Sequence, residues 1–128
     1  MTISRFSKAY RPLPHSAKEA RNDLRAVLTG WDMADLYDDA SVVLVELITN
    51  AIRSNDAIDV DLYPSGDSGR LHVEVHDTCQ EAPVQQSPGD DEENGRGLLL
   101  IAALAKEWGW TPTHDGKIVH AVLERHGS

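Results

Sequence analysis

Cysteine is almost missing from this chain: Cys79 is the only one among 128 residues. A single thiol cannot form an intrachain disulfide, and it rules out a zinc cluster built on cysteines. Positive charge is also short. Lys and Arg number 12 against 21 Asp and Glu, for a net charge of −9 and a pI near 4.9. That balance argues against a nucleic-acid binder, which needs a basic face for phosphate. It would suit a basic surface on another protein, although net charge alone says little about partners. No apolar run reaches membrane-spanning length, and the opening Met1-Thr2-Ile3-Ser4-Arg5-Phe6 has no apolar leader core. The expectation is a cytoplasmic protein. What is present is ordinary for a folded domain: 41% hydrophobic and 26% charged residues, in a length that fits one domain, residues 1–128, with a real core.

The most apolar helical run is Ala40 to Ile52, within a helix expected over about Tyr37 to Arg53. Glu46 and Asn50 are four residues apart and share one flank of it, and Arg53 joins that flank. Leaving such groups buried without partners costs roughly 1–3 kcal/mol each. They must find partners or line a polar cavity. Around this helix the rest reads in order. A short strand is expected over Phe6 to Tyr10, broken by Pro12 and Pro14. Ser16-Ala17-Lys18-Glu19 has the form of a capping box, opening a helix from about Ala17 to Leu28 that Thr29-Gly30 ends. Ile58, Val60 and Leu62 alternate with polar residues, as do Leu71, Val73 and Val75, predicting an antiparallel hairpin. Periodicity is lost over residues 78–94, which contain the acidic run Asp90-Asp91-Glu92-Glu93. A loop that long in a compact domain is usually functional or disordered. Gly95-Arg96-Gly97 then opens a helix to about Ala105, and a second hairpin follows from Trp108 to Glu124, with Pro112 suggesting an edge strand. The expected fold is α+β, a two-layer sandwich with helices on one face of a mixed or antiparallel sheet.

Three pieces stand out chemically: the Glu46/Asn50/Arg53 flank, Asp77 at a strand end, and Gly95-Arg96-Gly97 at a helix start. Free N–H groups and the positive dipole end at a helix start suit phosphate. Oxygen-bearing side chains suit Mg2+. Other candidates are weaker. His72 and His76 share a strand face but lie about 13 Å apart at strand rise, too far to share a metal. Trp108 and Trp110 point to one face and read as packing.

In order and spacing the three pieces resemble the GHKL ATPase superfamily. Glu46-Leu47-Ile48-Thr49-Asn50-Ala51 looks like its N box, Asp77 falls where the adenine-binding Asp of the first glycine box belongs, and Gly95-Arg96-Gly97 looks like the second glycine box after an ATP lid over residues 78–94. The compact length, with Trp108-Gly109-Trp110 and Gly116-Lys117-Ile118-Val119, most resembles the stand-alone anti-sigma-factor serine/threonine kinases of the actinobacterial type. The likeness runs from about Leu13 to Leu123.

This resemblance implies a Bergerat fold that binds ATP and Mg2+. Asn50 would coordinate Mg2+, and Glu46 would act as general base on the attacking hydroxyl. Asp77 would accept from the adenine amino group, Gly95, Arg96 and Gly97 would cradle phosphates, and Arg53 would support the phosphate side. The family phosphorylates Ser or Thr on an anti-anti-sigma antagonist, sequesters a sigma factor and commonly forms homodimers. This chain departs from the pattern at Ser54, where relatives often carry His after the N box, in the four consecutive acids Asp90 to Glu93 of the lid, and at two further places. Cys79 and Glu81 stand where the first glycine box has glycines, and Ile118 stands near where the family favours a hydroxyl that assists adenine binding. Those departures support an alternative, a non-catalytic module of the same fold that sequesters a sigma factor or another regulator.

Overall fold

The computed structural model describes residues 4–52, 56–66, 69–79 and 92–125, with residues 92–97 as backbone only. The chain order is β1 (Phe6–Tyr10), α1 (His15–Gly30), a short 3-10 turn (Ala34–Leu36), α2 (Tyr37–Ala51), β2 (Ile58–Ser65), β3 (Arg70–Asp77), α3 (Glu92–Leu104), β4 (Glu107–Pro112) and β5 (Lys117–Glu124). The five strands form one sheet in the order β1-β2-β3-β5-β4. Every neighbouring pair is antiparallel, which resolves the choice between a mixed and an antiparallel sheet. Pro112 ends the edge strand β4, where a missing N–H costs no ladder bond.

Strand alternation decides which face is buried. Ile58, Val60 and Leu62 of β2, Leu71, Val73 and Val75 of β3, and Val119, Ala121 and Leu123 of β5 all turn toward the helices and are buried. Leu24 and Leu28 of α1 and Leu44, Leu47 and Ile48 of α2 close the same core. The outer face carries Asp59, Asp61, Tyr63, His72, Glu74, His76 and His120, most of them half-buried. His72 stacks on Tyr63 with ring centroids 4.5 Å apart, and burial lowers its pKa. The Tyr63 hydroxyl donates to Glu74, which with burial pushes it up to about 12.

The start of α1 differs from the capping box expected at Ser16. The helix begins at His15 with Pro14 at its N-cap. Ser16 lies inside the first turn, 1% exposed, and its hydroxyl donates to the Arg11 carbonyl at 2.6 Å. The Arg11 carbonyl, which also accepts from the Leu13 N–H at 2.8 Å, takes that hydroxyl in place of a helix cap. The other end also shifts. Gly30 is the last helical residue, and the chain reverses at Asp32, whose φ is 57°. Asp tolerates this left-handed conformation better than most residues. The Met33 N–H then reaches the Leu28 carbonyl at 2.8 Å and closes the helix.

β1 is fastened to α1 by polar contacts. Lys8 Nζ and the Tyr10 hydroxyl both donate to Asp23 Oδ2, each at 2.8 Å. Burial alone would push the Asp23 carboxyl up, but the two donors outweigh it and hold it below its usual range. Past the end of β5, Arg125 donates to both carboxylate oxygens of Asp35 and to the Asp32 carbonyl, clipping this end of the sheet to the α1–α2 connector.

Candidate functional site

The topology brings the C-terminal end of α2, the C-terminal end of β3, the N-terminal end of α3 and the first residue of β5 to one end of the sheet. Lys117 is directly opposite Asp77 across β3 and β5. The far end of α3 reaches the opposite end of the sheet, where the Lys106 N–H bonds the Val122 carbonyl. The start of α3, one helix length away at about 1.5 Å per residue, therefore lies toward Asp77. The Thr78 hydroxyl donates to Asp56 at 2.9 Å, tying the loop after β3 to the segment that follows α2.

On α2, Ala40, Val43, Leu44, Leu47, Ile48 and Ala51 are buried. Glu46 and Asn50 are half-buried on a common flank, and Thr49 is exposed. The helix itself packs against β3, β5 and α3. A carboxylate and an amide oxygen one turn apart form a hard-oxygen pair suited to a magnesium nucleotide. Arg53 lies outside the described residues, as does most of the lid expected over residues 78–94.

α3 starts at Glu92, earlier than expected. Gly95 falls in its first turn, and Arg96 and Gly97 lie within the helix, where they were expected to open it. Glutamates are good helix formers and are favoured near the positive end of the helix dipole, so they extend it toward the loop. The backbone N–H groups without a partner inside the helix belong to the turn that opens it, just ahead of Gly95.

Asp77 is 2% exposed and points to the helix side of the sheet. Its Oδ1 accepts from the Cys79 N–H at 2.9 Å, a local turn, and from Lys117 Nζ at 3.0 Å. Lys117 Nζ also donates to the Cys79 carbonyl at 3.0 Å, and the lysine side chain is 5% exposed. The residue facing Asp77 from the neighbouring strand is therefore Lys117. Ile118, expected near that role, turns to the outer face opposite His76. The signal for Lys117 was available in the sequence. With Val119, Ala121 and Leu123 as the inward set, period two puts Lys117 inward as well, and a lysine at a core-facing position needs an anionic partner.

Gly116 allows the close approach of the two strands. A Cβ there would lie 1.8 Å from the Asp77 carbonyl oxygen and 2.7 Å from the Thr78 Cα. Only glycine fits this position.

A recess of about 400 Å³ opens on the outer face of the sheet, lined by Ser7, Asp59, Asp61, Glu74 and His76 among others. It is on the far side of the strands from the Asp77 side chain. Among the described residues no group of three or more His, Cys, Asp or Glu is placed to hold a metal ion. No helix among them is long and apolar enough to cross a membrane.

The oxygen pair on α2, the buried carboxylate at the end of β3 and the positive end of α3 make a donor set that fits ATP with Mg2+. No curated protein matches the chain closely enough to count as a relative. A family model described as a histidine kinase-like ATPase domain matches residues 10–123, which takes in four of the five strands, β2 to β5, and all three helices. An α+β sandwich with these elements at one end of its sheet is consistent with that match, and the chain belongs to the histidine kinase-like ATPase domain family, of the GHKL type.

Proposed function

We propose that this ATPase domain is a protein serine/threonine kinase of the anti-sigma-factor type. It would phosphorylate an anti-anti-sigma antagonist and sequester a sigma factor. The observation that supports this most is that α2, which carries Glu46 and Asn50, and β3, which ends on the buried Asp77, have their C-terminal ends at one end of the sheet. In this reading bound ATP supplies the phosphoryl group. The Asn50 side-chain oxygen holds Mg2+, and Asp77 accepts from the adenine amino group. Glu46 takes the proton from the attacking hydroxyl, a role worth about 10²–10⁴ in rate. The backbone of Gly95, Arg96 and Gly97 meets the phosphates, with Arg53 beside them.

Calorimetry with ATP and Mg2+, followed by transfer of labelled phosphate to an antagonist protein, tests the reading. Asn50→Ala should abolish Mg2+-dependent binding, and Glu46→Gln should leave binding intact while transfer falls at least about 10²-fold. Absence of ATP and ADP binding at millimolar nucleotide would defeat it.

The pairing of Asp77 with Lys117 favours a second reading, a module of the same fold that sequesters its partner without turnover. In that case the sigma-factor complex survives both Glu46→Ala and removal of nucleotide.

A further inference from the structure

We propose that Lys117 is a specificity-determining residue of the base subsite, donating to N1 of adenine while Asp77 accepts from the neighbouring amino group. This deepens the nucleotide-binding reading above and rests on it. Three observations lead here. First, the ammonium and the carboxylate are side by side, with Lys117 Nζ 3.0 Å from Asp77 Oδ1. They hang from directly opposed residues of β3 and β5 and point to the same side of the sheet. Second, an ammonium has three hydrogens to donate. Asp77 Oδ1 and the Cys79 carbonyl account for two of them. Third, the pair is held in place. Gly116 lets the start of β5 touch the end of β3, and Cys79 bonds both members through its N–H and its carbonyl.

A lone buried carboxylate asks only for a donor. A carboxylate beside an ammonium asks for a donor next to an acceptor. The Watson–Crick edge of adenine presents the amino group next to the unprotonated N1, and bases are commonly read along that edge. Displacing Lys117 to admit the base would strand a buried charge, which is costly. Keeping it in place gives the base two charge-assisted hydrogen bonds, which are stronger than neutral ones. The departures after Asp77 fit the same picture. With Cys79 at the first glycine position, the backbone there is bonded to the ion pair, and Lys117 takes part in recognition of the base.

The test is calorimetry with ATP and with 1-deaza-ATP, which carries C–H in place of N1. Wild-type protein should bind 1-deaza-ATP about tenfold or more weakly than ATP, the loss expected when a charged donor faces no acceptor. Lys117→Met should lose a similar factor for ATP and then bind both nucleotides alike. If wild-type protein binds the two equally, Lys117 does not read N1 and the proposal falls, while the nucleotide-binding reading stands. If Lys117→Met binds ATP as tightly as wild type or tighter, the lysine is an obstruction or a strut and the proposal falls again. If wild type binds neither ATP nor ADP, both readings fall together. The ligand-side substitution needs no variant, so the outcome holds even if Lys117→Met does not fold.

Discussion

β5 carries an ion pair at each end, and the two are opposites. At its start, Lys117 and Asp77 expose 5% and 2% of their side chains. Just past its other end, Arg125 and Asp35 expose 31% and 57%. The exposed pair has the better geometry, a guanidinium fork with bonds to both carboxylate oxygens. Water and salt nevertheless screen it, so it contributes little to stability. The buried pair adds little net stability either, because desolvating two charges offsets their attraction. Removing one member is where the ends differ, since the survivor at the Asp77 end has no water to turn to. One end of the strand is fastened cheaply, and the other is committed to a charged, closely fitted arrangement at the candidate site.

The comparison can be broken at several points. The largest effect is expected from Lys117→Met, which leaves the Asp77 carboxylate buried without its cation and should lower the unfolding free energy by about 3–5 kcal/mol in urea melts. The double variant Asp77→Leu/Lys117→Met should recover most of that. A loss below about 1 kcal/mol for the single variant, the range of exposed pairs, would make the two ends equivalent. Next comes Gly116→Ala. Its Cβ would meet the Asp77 carbonyl, a backbone atom that cannot swing aside, and overpacking of this kind costs about 3 kcal/mol. Gly30→Ala is the control. Nothing lies within 4 Å of a Cβ there, and alanine is about 1 kcal/mol better than glycine in a helix. Similar thermal midpoints for both variants would show that β3 and β5 can part at Gly116 without loss.

The smallest effect belongs to Arg125→Ala, and it should depend on pH. Hydrogen bonds from Arg125 hold the Asp35 carboxyl below its ordinary value of 3.8. A carboxyl depressed in the folded state binds its proton more readily when unfolded, so its contribution is present above about pH 4 and fades as acid titrates it. Denaturation curves between pH 2.5 and 7, as working limits of roughly this range, should show wild type and variant converging at the acid end. The difference near neutral pH should shrink with added salt. A gap that persists in acid would mean that Arg125 acts through its bond to the Asp32 carbonyl, with its charge incidental.

Legibility in the sequence followed periodicity. β5 was readable to the residue because Val119, Ala121 and Leu123 alternate cleanly and a His-Asp-Gly turn precedes them. The body of α2 was readable because six of its apolar side chains recur on one arc and are buried. The two ends of α1 were not. A serine followed three residues later by glutamate is a short pattern, and the Arg11 carbonyl competed for the hydroxyl. Gly30 looked like the natural helix stop, yet the reversal falls on Asp32. At the site, Glu46 and Asn50 stood out as polar groups on a mostly apolar helix, and Asp77 because it ends a strand where the chain enters a long loop. Lys117 did not: its inward face could be read from the alternation of Val119, Ala121 and Leu123, but its partner, Asp77, is set by pairing across strands. Which residue of β3 lies opposite it is a matter of register, a tertiary fact that a lone strand does not carry.

The strand order has a consequence for how the protein is made. β5 sits between β3 and β4, although residues 117–124 are synthesised after both. Until those residues leave the ribosome, β3 has an unpaired inner edge, β4 has no neighbour at all, and Asp77 lacks its cation. The hairpin β2–β3 and the helices can gather early, since their contacts are local or lie upstream. The candidate site cannot, because the residue that completes it arrives with the strand that closes the sheet. A nascent chain halted before Lys117 therefore holds an open edge and an unneutralised acid, the state most exposed to wrong pairing. Pairing of Asp77 with Lys117 and completion of the sheet are one event.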